Sequence, residues 1–264
     1  MIAALGLLLT VAAPLQGIQG TRYTFRMTFD PDEPIVGTVR EDSHRSRIDL
    51  KKHGAEENSY LVITHDGHRV ISVRPADGEY SVLDDSAFER IVGTALQAVS
   101  SVGIVRFRVY DARISTERLG AGDSVAGLPT RHYRLTQDFT VDVSAFGAHG
   151  DPIRQHLVTD FWVSPDSRIL PNPLIEMLTR LGSALGQSDP EFVRRSAAAR
   201  DSLFSGTPLR IVVTATSDAK DDAGKPPSLH RLEITAIERG RFNPGIWEVP
   251  AGLHRKEGAV SWSF

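Results

Sequence analysis

The sequence predicts a mainly β protein: one domain built on a curled antiparallel sheet of about eleven strands, an incomplete barrel with a helical lid. Three observations predict this. Short runs alternate apolar and polar residues, turns rich in Gly, Pro, Asp and Ser separate them, and few stretches switch to the helical period. Sequential strands joined by short turns favour an up-and-down sheet, and a sheet this long curls. Helices then cover one open face and leave an apolar concavity.

The strands follow in chain order. Tyr23, Phe25, Met27 and Phe29 alternate with Arg22, Thr24, Arg26 and Thr28, the pattern of a half-buried strand over 22–29. A Pro31-Asp32-Glu33-Pro34 turn leads to strands over 35–40 and 46–50. Strands over 60–64 and 69–73 flank His65-Asp66-Gly67-His68, where Gly67 suits a tight turn, and a further edge follows over 79–83. At 84–99 the period changes, with Phe88, Ile91, Val92, Ala95, Leu96 and Val99 at helical spacing behind Asp85 or Ser86 as cap. Strands resume over 104–114, 130–143 and 155–163. The segment 172–185 reads as a helix, with Pro173 in its first turn and Leu174, Met177, Leu178 and Leu181 as an apolar stripe. A second helical segment, 190–204, carries an arginine-rich face. Strands over 209–216 and 229–237 and an aromatic tail around Phe242, Trp247 and Pro250 complete the pattern.

The composition excludes several functions. With 41% hydrophobic and 24% charged residues among 264, the chain can bury a sizeable core. A net charge of −3 leaves no surplus of cations for a phosphate backbone, so no nucleic acid is expected as partner. The absence of cysteine removes disulfides, thiolate zinc sites, cysteine nucleophiles and a lipid anchor through that residue. Residues 1–20 carry no charge and hold an apolar run from Ile2 to Ala13, too short to span a bilayer and followed by Pro14, Gly17 and Gly20. This is the pattern of a signal peptide cleaved after Gly17 or Gly20, with 21–264 as the mature domain in the periplasm or outside the cell. The alternatives are a buried first strand or an uncleaved anchor. No later run is long and apolar enough for an integral membrane segment.

Several short strings carry a resemblance. They are Arg47-Ile48-Asp49 after a polar turn, and Val125-Ala126-Gly127-Leu128-Pro129-Thr130-Arg131-His132-Tyr133 before a long strand. Phe161-Trp162-Val163-Ser164, the helix over 173–181 and a closing segment 242–250 running into Pro-Ala-Gly-Leu complete the set. On these the chain resembles the periplasmic lipoprotein-carrier (LolA/LolB-like) fold and, more closely, a related family of exported bacterial proteins of unknown function. The resemblance implies an incomplete barrel with a helical lid and an interior that accepts acyl chains. It implies no catalytic residue, and it places Arg47 in contact with the lid backbone. The segment 190–204 has no counterpart in it.

The candidate site follows from alternation. Tyr23, Phe25, Met27, Phe29, Phe107, Tyr133, Phe161, Leu232 and Ile234 either line a cavity beneath Leu174, Met177, Leu178 and Leu181 or fill a dry core. No catalytic constellation, cofactor or metal is expected. No G-x-S-x-G, phosphate-loop or H-E-x-x-H string occurs, and His65 and His68 bracket Asp66 in what reads as a solvated turn. Arg194, Arg195 and Arg200 read as a solvated face. The expected partners are a lipid or acylated peptide or, for a filled core, another envelope protein; the oligomeric state stays open.

Overall fold

A computed structural model describes residues 17–29, 34–51, 59–64, 69–83, 105–145, 148–166, 190–219 and 224–256. The helices expected over 84–99 and 172–185 and the turn at 65–68 lie outside these residues. Among the described residues the chain forms a single open, curled sheet of 13 strands. All eleven runs read from alternation are strands; the two further ones, β9 (Ala148–His149) and β13 (His254–Arg255), are two residues each and too short to show a period.

The sheet is two meanders joined back to back. In the first, β1 (Ile18–Phe29), β2 (Ile35–Glu41), β3 (Arg45–Lys51), β4 (Tyr60–Thr64), β5 (Arg69–Arg74) and β6 (Glu79–Leu83) neighbour one another in chain order. In the second, β7 (Val105–Val125), β8 (Leu128–Ala145), β10 (Ile153–Ser164), β11 (Thr207–Ser217) and β12 (Ser228–Phe242) do the same, with β9 beside β8. The first strand then pairs antiparallel with the last long one, from Ile18 opposite Phe242 to Phe29 opposite His230.

Side chains on one face of a strand line up with those of its neighbours, so alternation becomes rows across the sheet. Tyr23, Val39, Ile48 and Leu61 stand opposite one another in turn on four consecutive strands, and all are buried. With Phe25, Met27, Leu232, Ile234 and Leu209 they form the main core. Phe25 needs room to lie across β2, and Gly37 leaves it. A Cβ there would fall 2.5 Å from the Asp49 carbonyl oxygen and closer still to the ring of Phe25.

In the first meander the reverse face is covered too. The Asn243-capped turn Pro244–Trp247 and the residues after it fold back, so that Val249 and Leu253 pack on Tyr60, Val62 and Val73. This is why consecutive residues of β4 are buried: Leu61 faces the main core, while Tyr60 and Val62 face the returning tail. The same tail closes the β6 edge through β13, which is parallel to β6 and bonded by His254 N to Gly78 O at 2.8 Å and Lys256 N to Tyr80 O at 2.8 Å.

The opposite edge is the long hairpin of β7 and β8. Its turn, Ala126-Gly127, has both φ values positive at 49° and 77°, the two-residue geometry that matches strand twist. The expected strand over 104–114 therefore continues to Val125, past residues whose small and polar side chains show no alternation. Three register shifts interrupt β7, and at the first of them Asp111 takes a φ of 54°. Such bulges turn an exposed edge away from pairing with another sheet. Helix α1 (Pro190–Leu203) packs on this half, and among the described residues no helix is long and apolar enough to cross a membrane.

Gly37→Ala is expected to lower stability by about 1–3 kcal/mol through overpacking, because backbone and a buried ring both meet the added carbon. Urea unfolding followed by tryptophan fluorescence reads it.

Candidate functional site

The expected ligand residues fall into two adjoining groups. Tyr23, Phe25, Met27, Leu232 and Ile234 lie together in the main core, none more than 8% exposed. Tyr133 and Phe161 belong to a second cluster with Leu135, Val163 and Leu203 beneath α1, and Ile211 packs against both clusters. The side chains of Phe29 and Phe107, and Leu174, Met177, Leu178 and Leu181, lie outside the described residues.

Helix α1 lies over the β7–β8 hairpin, and one stripe of its side chains meets alternate residues of β8. Phe192 meets Phe139 with ring centres 4.9 Å apart, Ser196 accepts a hydrogen bond from Gln137 at 2.9 Å, and Ala199 and Leu203 join Leu135. The spacing 192, 196, 199, 203 is one helical stripe laid along every second residue of a strand. Just past the helix, Phe204 touches both Tyr133 and Phe161, at 5.5 and 5.1 Å between ring centres. The arginines of the segment point elsewhere: Arg194 pairs with Glu191, Arg200 with Asp201, and Arg195 donates to the Ala112 carbonyl at the first β7 bulge.

Beyond Tyr133 the sheet holds a cleft of about 490 Å³. Its walls include the Tyr133 ring, Pro129, Thr130 and Pro165, with Gly120 and Ala121 of β7 along one side. Arg118 and Arg131 also line it. Arg118 stands opposite Tyr133, and Arg131, two residues before Tyr133, shares its face; Phe161 and Val163 lie opposite Tyr133 and Arg131 on β10. The cleft is therefore a continuation of the apolar face. Sequence reasoning finds Tyr133 but not the others, because the 115–124 stretch lacks alternation and the two prolines read as turns.

The reverse face is polar and internally paired. Asp160, 9% exposed, accepts from Arg134 Nε at 2.9 Å and lies 2.8 Å from His132 Nε2. His132 stacks on Trp162 at 4.3 Å, and Arg210 lies over the same indole while bonding Glu233 at 2.7 Å and Asp123 at 3.1 Å. Arg47 does reach a backbone: its Nη1 donates to the Ile246 carbonyl at 2.8 Å, its Nη2 bonds Asp49 at 2.7 Å, and the guanidinium lies 3.4 Å from the centre of the Tyr60 ring. That backbone is the C-terminal turn, and the 172–185 segment is outside the described residues. Among the described residues no three His, Asp or Glu side chains converge as metal ligands.

Tyr23 is the most perturbed phenol. Burial pushes its ionisation well above the ordinary 10.0, the nearby Glu41 carboxylate adds to this, and Arg239 opposes it.

No family model and no curated protein matches the chain. Several solved structures are similar to it at low identity. One is an uncharacterized conserved protein from Thermus thermophilus, at 11% identity and TM-score 0.39 over 90% of this chain and 89% of that one. PNGF-II gives 9% identity and TM-score 0.35 over 86% of this chain and 29% of its own. A LolA superfamily protein from Nitrosomonas europaea gives 7% and TM-score 0.28 over 89% and 91%. What the strands themselves define is an open, curled, mainly antiparallel sheet with a helix on its apolar face.

Arg47→Ala is expected to cost about 2 kcal/mol, since it removes a charged hydrogen bond and a stacked cation from a partly buried site. Hydrogen exchange would locate the loosening at 244–256 rather than in β1 or β12. For Tyr23 the sign is set by which state loses its proton first. Above pH 10 the unfolded chain ionises this phenol and the folded one does not, so stability falls as pH rises. Tyr23→Phe is expected to flatten that fall in a series of thermal melts between pH 8 and pH 11; an unchanged slope would contradict the assignment.

Proposed function

We propose that the protein is a non-catalytic binding or carrier protein that shelters the apolar part of a lipid or acylated peptide in the cleft beside Tyr133. One observation carries the proposal: a concavity of about 490 Å³ continuous with the apolar face of the sheet. That volume lies in the range of about 300–1,000 Å³ common to small-molecule sites. Burial of acyl surface would drive uptake, at about 0.8 kcal/mol per methylene. The ligand class agrees with the resemblance to lipoprotein carriers. On this reading the apolar run from Ile2 to Ala13 directs export to the periplasm or beyond. Cleavage after Gly17 would keep β1 whole, whereas cleavage after Gly20 would remove Ile18, Gln19 and Gly20, which pair with Phe242, Arg241 and Gly240.

A second reading, an envelope module that binds another protein through its surface, is favoured by the main core. Tyr23 and Phe25 are fully buried among packed neighbours.

Ala121→Trp fills the cleft from an exposed strand position and separates the two readings. The carrier reading expects wild-type protein, recovered from the periplasm, to yield co-purified acyl species by native mass spectrometry and to take up a fluorescent fatty acid, and the variant to do neither while melting normally. Uptake unaffected by the tryptophan, or absent from wild type, would leave the interaction module as the account.

A further inference from the structure

We infer that the cleft selects amphiphiles whose apolar chain ends in an anionic head, and that Arg118 and Arg131 hold that head; the inference rests on the binding role proposed above. The argument is one of charge accounting around the cleft. Both guanidiniums lie on the same face of the β7–β8 hairpin, one opposite Tyr133 and one two residues before it, and both line the cavity. Like charges on neighbouring strands repel unless an acid stands beside them.

Here the neighbouring acids are engaged elsewhere. Asp123 bonds Arg210, Asp160 bonds Arg134 and His132, and Asp166 bonds Arg239 at 3.3 Å. Glu117 precedes Arg118 on the strand and so turns to the reverse face, opposite Arg134. Among the described residues neither Arg118 nor Arg131 forms an ion pair. Two cations without an acidic partner among the described residues therefore rim a cavity whose other walls are an aromatic ring, two prolines, a threonine, a glycine and an alanine.

That pairing of surfaces matches one chemistry. A planar guanidinium binds carboxylate or phosphate oxygens with directed, charge-assisted hydrogen bonds, while the Tyr133, Pro129 and Pro165 walls offer only apolar contact and a phenol. A cationic head would meet repulsion. An uncharged head would leave both arginines to water.

The test uses the full mature chain and four probes with the same dodecyl tail: dodecanoate, dodecyl phosphate, dodecyl maltoside and dodecyltrimethylammonium, each below its micelle concentration, in isothermal titration. Both anions are expected to bind about tenfold more tightly than the uncharged probe, and the cation more weakly still. Arg118→Gln combined with Arg131→Gln should remove the anion preference, so that within the variant dodecanoate, dodecyl phosphate and dodecyl maltoside bind within about twofold of one another. A preference for phosphate over carboxylate would point to phospholipid, the reverse to fatty acid. Equal affinity for all heads, or a preference that survives the double substitution, overturns the inference and leaves the binding role standing. No binding of any probe to the wild type overturns both.

Discussion

The antiparallel pairing of β1 with β12 is the constraint on which the rest of the sheet depends. Each meander could form from local hairpins, but neither alone buries both flanks of the row that Tyr23, Phe25 and Met27 present. Placing β12 against β1 brings Leu232 and Ile234 beside them and makes β1 an interior strand of the whole sheet. The register shifts once, between Thr24 and Phe25, where the Thr235 hydroxyl donates to the Thr24 carbonyl at 3.2 Å and keeps the irregularity bonded. This pairing joins residues more than two hundred positions apart, so closing it costs more chain entropy than closing any of the hairpins.

The two faces solve different problems. On the reverse face, cations stand next to acids on neighbouring strands: Arg40 and Arg47 with Asp49, Arg134 with Asp160, Arg210 and Arg231 with Glu233. Partly buried pairs of this kind are matched rather than strongly stabilising, and Asp49 offsets the repulsion between Arg40 and Arg47, which the register sets opposite each other. The two arginines of the cleft share their lack of an ion pair, among the described residues, with Arg26, Arg69, Arg108 and Arg113, but they line a concavity. Their position on the apolar face, not their number, is what gives them meaning.

Alternation together with turn signals made every strand of five residues or more legible before the structure: where one face is buried the signal is side-chain polarity, and in β4, buried on both faces, it is an apolar run beside a turn. Where that contrast vanishes, so does the signal. Residues 115–124 are, Leu119 apart, small or polar and mostly exposed, and β8 supplies their hydrogen-bond partners. The cleft draws Arg118, Gly120 and Ala121 from that stretch, so most of the site was illegible for the same reason as the strand. Alternation also assigns a face but not a location across it. Tyr133 and Phe25 share the apolar face, yet β10, β11 and β12 separate their strands, and an expected single row of ligand contacts becomes two clusters.

The position of the cleft follows from where α1 stops. Its stripe covers β8 from Phe139 through Gln137 to Leu135, and the last ring, Phe204, reaches Tyr133. A fourteen-residue helix rises about 1.5 Å per residue against about 3.4 Å along the strand, so α1 spans only about six residues of β8. Arg131 and Pro129 lie past that reach on the same face, and the hairpin tip closes the far side by burying Val125 against the main core. Between a helix that ends and a core that begins, the sheet is left with an apolar floor and no helical cover among the described residues. A cavity there needs no special device; it is the length mismatch between one helix and one long hairpin.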